Sequence, residues 1–219
     1  MGRPSKVNAM IFGITYGEHT TEYIEYKAKR TATPWRFEND AMIDIVDNHL
    51  SSVSDNEYVG VFSHKFYRKT GLTKQQVFDI LDNSDKPVIN LSPNIRSGMK
   101  RFGTFMDWSD MGHVGIKDMI KRCCEHVGIE YNNDPEHIIY ANQFVALKPV
   151  YIEYVNCVIK PCLELMEGEM WEQVNRPAGY TVGLPAEKLK HYTGLEFYNY
   201  VPFILERMAM QWFTSKKLL

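Results

Sequence analysis

The densest chemistry in the sequence is Ser63-His64-Lys65-Phe66-Tyr67-Arg68-Lys69, where one imidazole and three cations fall between residues 64 and 69 with no carboxylate among them. That balance suits an anionic ligand such as a phosphate or diphosphate, whose oxygens accept charge-assisted hydrogen bonds. The cluster follows Tyr58-Val59-Gly60-Val61-Phe62, a β-branched and aromatic run with the composition of a buried strand. Ligands of open α/β sheets lie outside the carboxyl ends of the strands. His64, Lys65, Arg68 and Lys69 are therefore candidate phosphate ligands. The same residues also read as a solvated basic turn, since loops carry charge readily.

Three further groups of residues hold candidate chemistry. The apolar run Asn8 to Ile14 reads as a first buried strand, and the polar loop Thr15-Tyr16-Gly17-Glu18-His19 follows it. Thr15, Tyr16 and Glu18 there are candidates for a nucleobase and its ribose, Tyr16 to stack and Thr15 to donate a hydrogen bond. The connection from Ile95 to Gly115 is long and weakly periodic, and loops of that length are often functional. Within it Asp107 and Asp110 flank Trp108, an aromatic beside carboxylates that fits sugar binding and a general base. Asp110 is the first choice, Asp107 the second, and His113 another candidate; Asp107 also fits a helix cap. Asn142 interrupts an apolar strand, and a buried amide needs a hydrogen-bond partner, either a loop or a ligand. Glu206-Arg207 fits a site pair or an ion pair that holds the last helix.

Four strands, starting near residues 8, 58, 87 and 138, alternate with helices, which argues an α/β fold over a single 1–219 domain. Asn39 is a plausible cap for a helix bearing Met42, Ile43, Ile45, Val46 and Leu50. Thr73-Lys74-Gln75-Gln76 is a capping box. Ile116 to Val127 reads as a helix ended by Gly128. Pro149 opens an amphipathic helix that Pro161 should kink, Glu167 to Lys190 reads as irregular, and the last helix begins near Pro202.

The formal charge of −2 gives no global attraction to nucleic acid or anionic membrane, although a local basic patch can act within a neutral protein. Cys123, Cys124, Cys157 and Cys162 form no C-x-x-C pair, so neither a zinc site nor a disulfide framework is indicated. No G-x-G-x-x-G and no G-x-x-x-x-G-K-[ST] occurs. No stretch approaches the roughly 20 apolar residues that span a bilayer, and the start of the chain lacks a secretory h-region. These features predict a cytoplasmic protein with no membrane span.

Three segments together resemble the small GT-A-like glycosyltransferases of bacterial polysaccharide clusters. Tyr58-Val59-Gly60-Val61-Phe62-Ser63-His64-Lys65-Phe66 resembles that family's Y-V-G-L-x-H-Y-R-R signature. Asn142-Gln143-Phe144-Val145-Ala146-Leu147-Lys148 is similar to its N-M-F-I-M-K-K segment, and Pro202-Phe203-Ile204-Leu205-Glu206-Arg207 to its G-F-L-x-E-R-L. The matches run in order over about residues 57 to 213. The resemblance implies a single GT-A-like domain with a mostly parallel central sheet flanked by helices. It also implies a nucleotide-diphosphate sugar donor, a UDP-sugar first, and transfer to the hydroxyl of a glycan. A phage enzyme that glycosylates a modified base in DNA is a variant of the same reading, and the non-catalytic alternative is a nucleotide- or phosphate-binding module. The family signature places Asn142 toward the sugar. No Asp-x-Asp follows the 58–62 strand, and Ser63-His64-Lys65 stands there instead. Oxygen ligands are what Mg²⁺ or Mn²⁺ prefer, so the expectation is that no metal is required and that His64, Lys65, Arg68 and Lys69 neutralise the leaving diphosphate.

Overall fold

A computed structural model describes residues 7–15, 18–28, 33–96, 102–179 and 185–219, without the side chains of 188, 192 and 193. The apolar runs of the sequence become strands β1 (Ala9–Thr15), β3 (Tyr58–Ser63), β4 (Val88–Asn90) and β5 (Phe144–Leu147). A fifth, β2 (Ile24–Lys27), is short and exposed at the edge. It is a strand beyond the four expected from sequence: each β2 residue pairs in parallel with β1, from Phe12 against Ile24 to Thr15 against Lys27.

The sheet order is β2-β1-β3-β5-β4. β1 lies parallel to β2 and β3, whereas β5 runs antiparallel to both β3 and β4. The fold is thus α/β, an open, mostly parallel sheet flanked by helices, in which β5 alone runs against the other four strands. Side chains alternate across the pleat and divide the core in two. Phe12, Ile14, Val59, Val61, Phe144 and Ala146 face one layer; Ile11, Tyr58, Phe62 and Val145 face the other.

The second layer is thin, supplied by α2 (Phe66–Thr70) and α3 (Lys74–Asp82) through Phe66, Val77 and Leu81. The Thr73–Gln76 capping box opens α3 as expected. The first layer is thick. It holds α1 (Glu38–Asn48), α4 (Phe105–Gly112), α5 (Ile116–His126), α6 (Lys148–Tyr154), α7 (Lys160–Glu167), the short α8 (Trp171–Val174) and α10 (Val201–Ser215). α9 (Ala186–Thr193) precedes the last helix. From Val201 to Phe213 every residue of α10 except Glu206 is buried. Glu206 is thus the one partly exposed residue along that stretch of the helix.

Several expectations shift for physical reasons. Asn39 lies within α1, its side chain donating to the Arg36 carbonyl, and Phe37 holds the cap position. The 95–115 connection contains α4, opened by a Thr104–Asp107 capping box. α8 and α9 occupy parts of the stretch read as irregular. The strand expected over 138–145 begins only at Phe144, because Ala141 and Asn142 form a left-handed turn with φ of 53° and 55°. At Pro161 a π turn over Val155–Ile159 joins α6 to α7, so the missing N–H is absorbed without ending the helical path.

Candidate functional site

The loop after β3 is shaped by one aromatic contact. Phe66 is buried and stacks on Phe62 with ring centroids 3.9 Å apart, so the chain folds back as soon as the strand ends. The Lys69 N–H donates to the Lys65 carbonyl at 3.0 Å, one helical turn on, which puts both lysines on the same side. Gly71, at φ 73°, closes α2 in the left-handed region that favours glycine. Tyr67 and Arg68 are left pointing outward. Lys65 and Lys69 line a cleft; Arg68 does not.

That cleft is large, about 1620 Å³, and opens at the carboxyl ends of the parallel strands. Ser63 and His64 from the tip of β3, Glu18 and His19 from the loop after β1, and Tyr26 and Ala28 at the end of β2 all line it. The His19 and His64 rings stack at 4.3 Å and 10°. Gly13 helps hold the His19 loop in place, because a methyl group at that position would collide with the Thr21 side chain. Burial, followed by repulsion from His19, Lys65 and Lys69, lowers the His64 pKa to about 4. His64 is therefore uncharged at neutral pH, and it meets a ligand as a hydrogen-bonding ring; the cleft cations of this loop are the two lysines.

The far walls are aromatic and acidic. Phe37, Trp108, Tyr140, Tyr198 and Phe203 supply rings, while Glu38, Asp40, Asp44 and Asp47 descend one side of α1. Most of these acids are engaged. Asp40 pairs with Arg36 at 3.3 Å, Asp47 with Lys160 at 2.8 Å, and Asp44 accepts the Tyr26 hydroxyl at 2.6 Å. Glu38 differs: among the described residues it makes no hydrogen bond or ion pair.

The two aspartates chosen from sequence serve helix ends. Asp107 accepts the Thr104 N–H and hydroxyl and pairs with Lys117 at 2.6 Å. The Lys117 ammonium and then the Thr104 bonds hold its pKa down at about 2. Asp110 accepts the N–H groups of Gly115 and Lys117, both at 3.1 Å, and so caps α5. Neither lines the cleft, although their neighbours Trp108 and Ser109 do. Both carboxylates satisfy backbone donors that a helix start would otherwise leave orphaned.

His113, Glu206 and Arg207 do meet in the cleft. His113 stacks on Phe203 at 4.3 Å, and burial, then the Arg207 charge, lowers its pKa to about 4. Arg207 is buried; its Nε donates to Ser109 Oγ at 3.0 Å and its Nη1 to the Phe203 carbonyl at 2.7 Å. It therefore pins α10 to α4. Glu206 lies 4.0 Å from Arg207 and keeps 21% of its side chain open. Burial lifts its pKa to about 7, with Glu38 adding to the rise and Lys69 and Arg207 opposing it.

The remaining candidates lie beside the cleft or outside the described residues. Thr15 is 3% exposed and donates to Glu25 at 3.1 Å, which leaves it off the lining. Tyr16 lies outside the described residues. Asn142 is 7% exposed, next to the turn residue Tyr140 that does line the cleft, and its Oδ1 meets no described donor. Sequence reasoning did not single out Glu38 or His19 as site residues. In sequence, Glu38, Asp40, Asp44 and Asp47 look like the solvated face of α1; only the placement of α10 opposite makes that face a wall.

Among the described residues no group of three or more His, Cys, Asp or Glu is arranged to hold a metal ion, and no helix is long and apolar enough to cross a membrane. No protein-family model matches this chain, and no curated protein or solved structure is found to be significantly similar to it.

Proposed function

We propose that this protein is a glycosyltransferase of GT-A-like fold that moves a sugar from a nucleotide-diphosphate donor, a UDP-sugar first, to a hydroxyl of a glycan. The observation that carries the reading is the meeting, in one cleft at the carboxyl ends of the parallel strands, of Lys65 and Lys69, a row of aromatic rings, and Glu206.

Each part has a task in the reaction. The donor diphosphate lies at the tip of β3, where Lys65 and Lys69 offset the charge that grows on it as the bond to the sugar breaks, and His64 hydrogen-bonds to it. Stabilising charge that develops in the transition state is commonly the largest catalytic contribution. The aromatic wall takes the apolar faces of the sugar rings. Glu206 accepts the proton of the acceptor hydroxyl as its oxygen attacks the anomeric carbon, and a carboxylate titrating near neutral pH suits that transfer. Direct displacement of this kind inverts the anomeric configuration. In this reading Arg207 and His113 position Glu206, and Asp107 and Asp110 hold the α4–α5 hairpin.

The acceptor in this reading is a neutral glycan. Glu18, Glu38, Asp40, Asp44, Asp47 and Glu206 line the same cleft against Lys65, Lys69 and Arg207. DNA binding draws most of its affinity from cations on phosphates, and this balance opposes it.

A thermal-shift screen of nucleotide sugars, with EDTA and with Mn²⁺, tests the reading. A ligand that binds only the native state raises the midpoint by mass action. The expected result is a rise with at least one UDP-sugar that persists in EDTA. No rise with any nucleotide sugar overturns the transferase reading; a rise or an activity that needs Mn²⁺ overturns its metal-free form.

A further inference from the structure

We infer that Glu38 and Glu206 form a working pair across the cleft: Glu38 holds the acceptor hydroxyl, and Glu206 takes its proton. The inference rests on the transferase reading and adds to it a residue that neither the sequence motifs nor the resemblance marks.

The first support is placement. Glu38 begins α1, Glu206 lies in the second turn of α10, and both carboxylates line the same cleft. Glu38 is also among the charges that act on Glu206. The second is availability. Asp40, Asp44 and Asp47 on the same helix are tied to Arg36, Tyr26 and Lys160, whereas Glu38 is bound to no described residue. A carboxylate left with open acceptor sites in an aromatic-walled cleft is well suited to receive ligand hydroxyls. The third is the setting of Glu206. Arg207 is held by Ser109 and the Phe203 carbonyl, which fixes the neighbouring turn of α10.

The chemistry balances without a further reactant. The acceptor O–H bond gives its electron pair to the new oxygen–carbon bond as the proton passes to a Glu206 oxygen. The anomeric carbon–oxygen bond breaks, its electrons leaving with the nucleoside diphosphate beside Lys65 and Lys69. Glu38 accepts a hydrogen bond from a neighbouring hydroxyl of the acceptor. Its negative charge raises the proton affinity of Glu206, and that coupling is what an experiment can read.

Glu38, Lys69 and Arg207 are the charges that act on Glu206; Asp40 and Asp44 from α1, His64 and Lys65 from the β3 tip and His113 at the end of α4 line the same cleft, and Arg36 pairs with Asp40. Of these, Glu38 and Glu206 are the two to substitute, because neither change breaks a described hydrogen bond.

The test uses the full chain with ¹³C-labelled glutamate carboxyls, in the wild type, Glu38→Gln and Glu206→Gln. The resonance that vanishes in Glu206→Gln is assigned to Glu206 and followed through a pH titration. In Glu38→Gln its midpoint moves to lower pH by roughly half a unit, as expected when one like charge is removed. An unmoved midpoint overturns the pair, whatever the protein's substrate. In parallel, hydrolysis and transfer from the UDP-sugar that gives the largest thermal shift are measured against pH. Glu206→Gln lowers turnover by about 100-fold or more with donor affinity kept, and Glu38→Gln moves the acid limb to lower pH. Turnover in Glu206→Gln within tenfold of the wild type overturns the role of Glu206 as base. Absence of UDP-sugar binding in all three proteins overturns the transferase reading, and the titration still decides the pair.

Discussion

Two acidic neighbourhoods in this molecule do different work. Asp107 and Asp110 sit in a helix hairpin, where every described partner is a backbone N–H, a threonine hydroxyl or a lysine that belongs to the same hairpin. Glu38 and Glu206 sit on helices that come together only in the folded chain, with the cleft between them. The first pair lies beside Trp108 and looks more catalytic in sequence. The contrast shows how helix starts absorb acids. A carboxylate three residues after a threonine, or five to seven before a helix's first turn, is within reach of orphaned donors, and those donors take it. An acid in the middle of an otherwise buried helix has no such employer, and burial then pushes its proton affinity up.

The comparison can be broken at its strongest point through the cations that serve the cleft. Lys65→Ala with Lys69→Ala removes two charged hydrogen-bonding groups from the diphosphate position. UDP affinity should fall by about 100-fold or more, since each hydrogen bond to a charged group is worth roughly 1.5–3 kcal/mol. Calorimetric titration with UDP checks this. Arg68→Ala is the internal control, because Arg68 points away from the cleft, and it should leave the affinity unchanged.

A smaller effect sharpens the other side. Thr104→Ala removes a helix cap, and loss of such a cap costs about 1 kcal/mol, or roughly 2–4 °C in Tm for a chain of this size. Asp110→Ala, which strips two backbone donors of their acceptor, should lower Tm similarly. Both variants should keep donor binding when assayed well below their midpoints. A loss of UDP binding by either, with Tm intact, would mean that the hairpin acids belong to the site after all.

The smallest effect is a pH dependence of stability, and its sign separates the two neighbourhoods. The folded-state pKa of Glu206 lies above its unfolded value, at about 7. Its protonated form is therefore favoured by folding, and stability declines as pH rises from the unfolded value through about 7. Glu206→Gln should thus match the wild type near pH 4 and exceed it by a few degrees of Tm at pH 8. Asp107 has the opposite sign. Its pKa is held down at about 2, so its contribution is present above the unfolded carboxylate value and is lost as pH falls toward 2. Thermal scans across pH of the wild type, Glu206→Gln and Asp107→Asn resolve the two trends.

Much of the scaffold was legible along the chain because it is locally encoded. The apolar runs of β1, β3 and β4, the Thr73–Gln76 box, and the prolines that open α6 and α10 each declare themselves within a few residues. β2 was not legible: its four residues are exposed at an edge and carry no apolar alternation. The direction of β5 depends on pairing with β3 and β4, which no local pattern shows. At the site, the tip of β3 was readable as a strand followed by cations. That Arg68 turns away follows from Phe66 stacking on Phe62, a contact visible only once the chain folds back. Glu38 was hidden because its helix face looks solvated until α10 is set against it.

Turnover of Glu206→Gln and Asp110→Asn, measured side by side on the same UDP-sugar, tests the central claim most directly. Asparagine keeps an acceptor oxygen for the α5 donors, and glutamine keeps the shape of Glu206, so both proteins should fold. The account predicts about a 100-fold or greater loss for Glu206→Gln and near wild-type turnover for Asp110→Asn. The reverse order, with Asp110→Asn inactive and Glu206→Gln active, would contradict it.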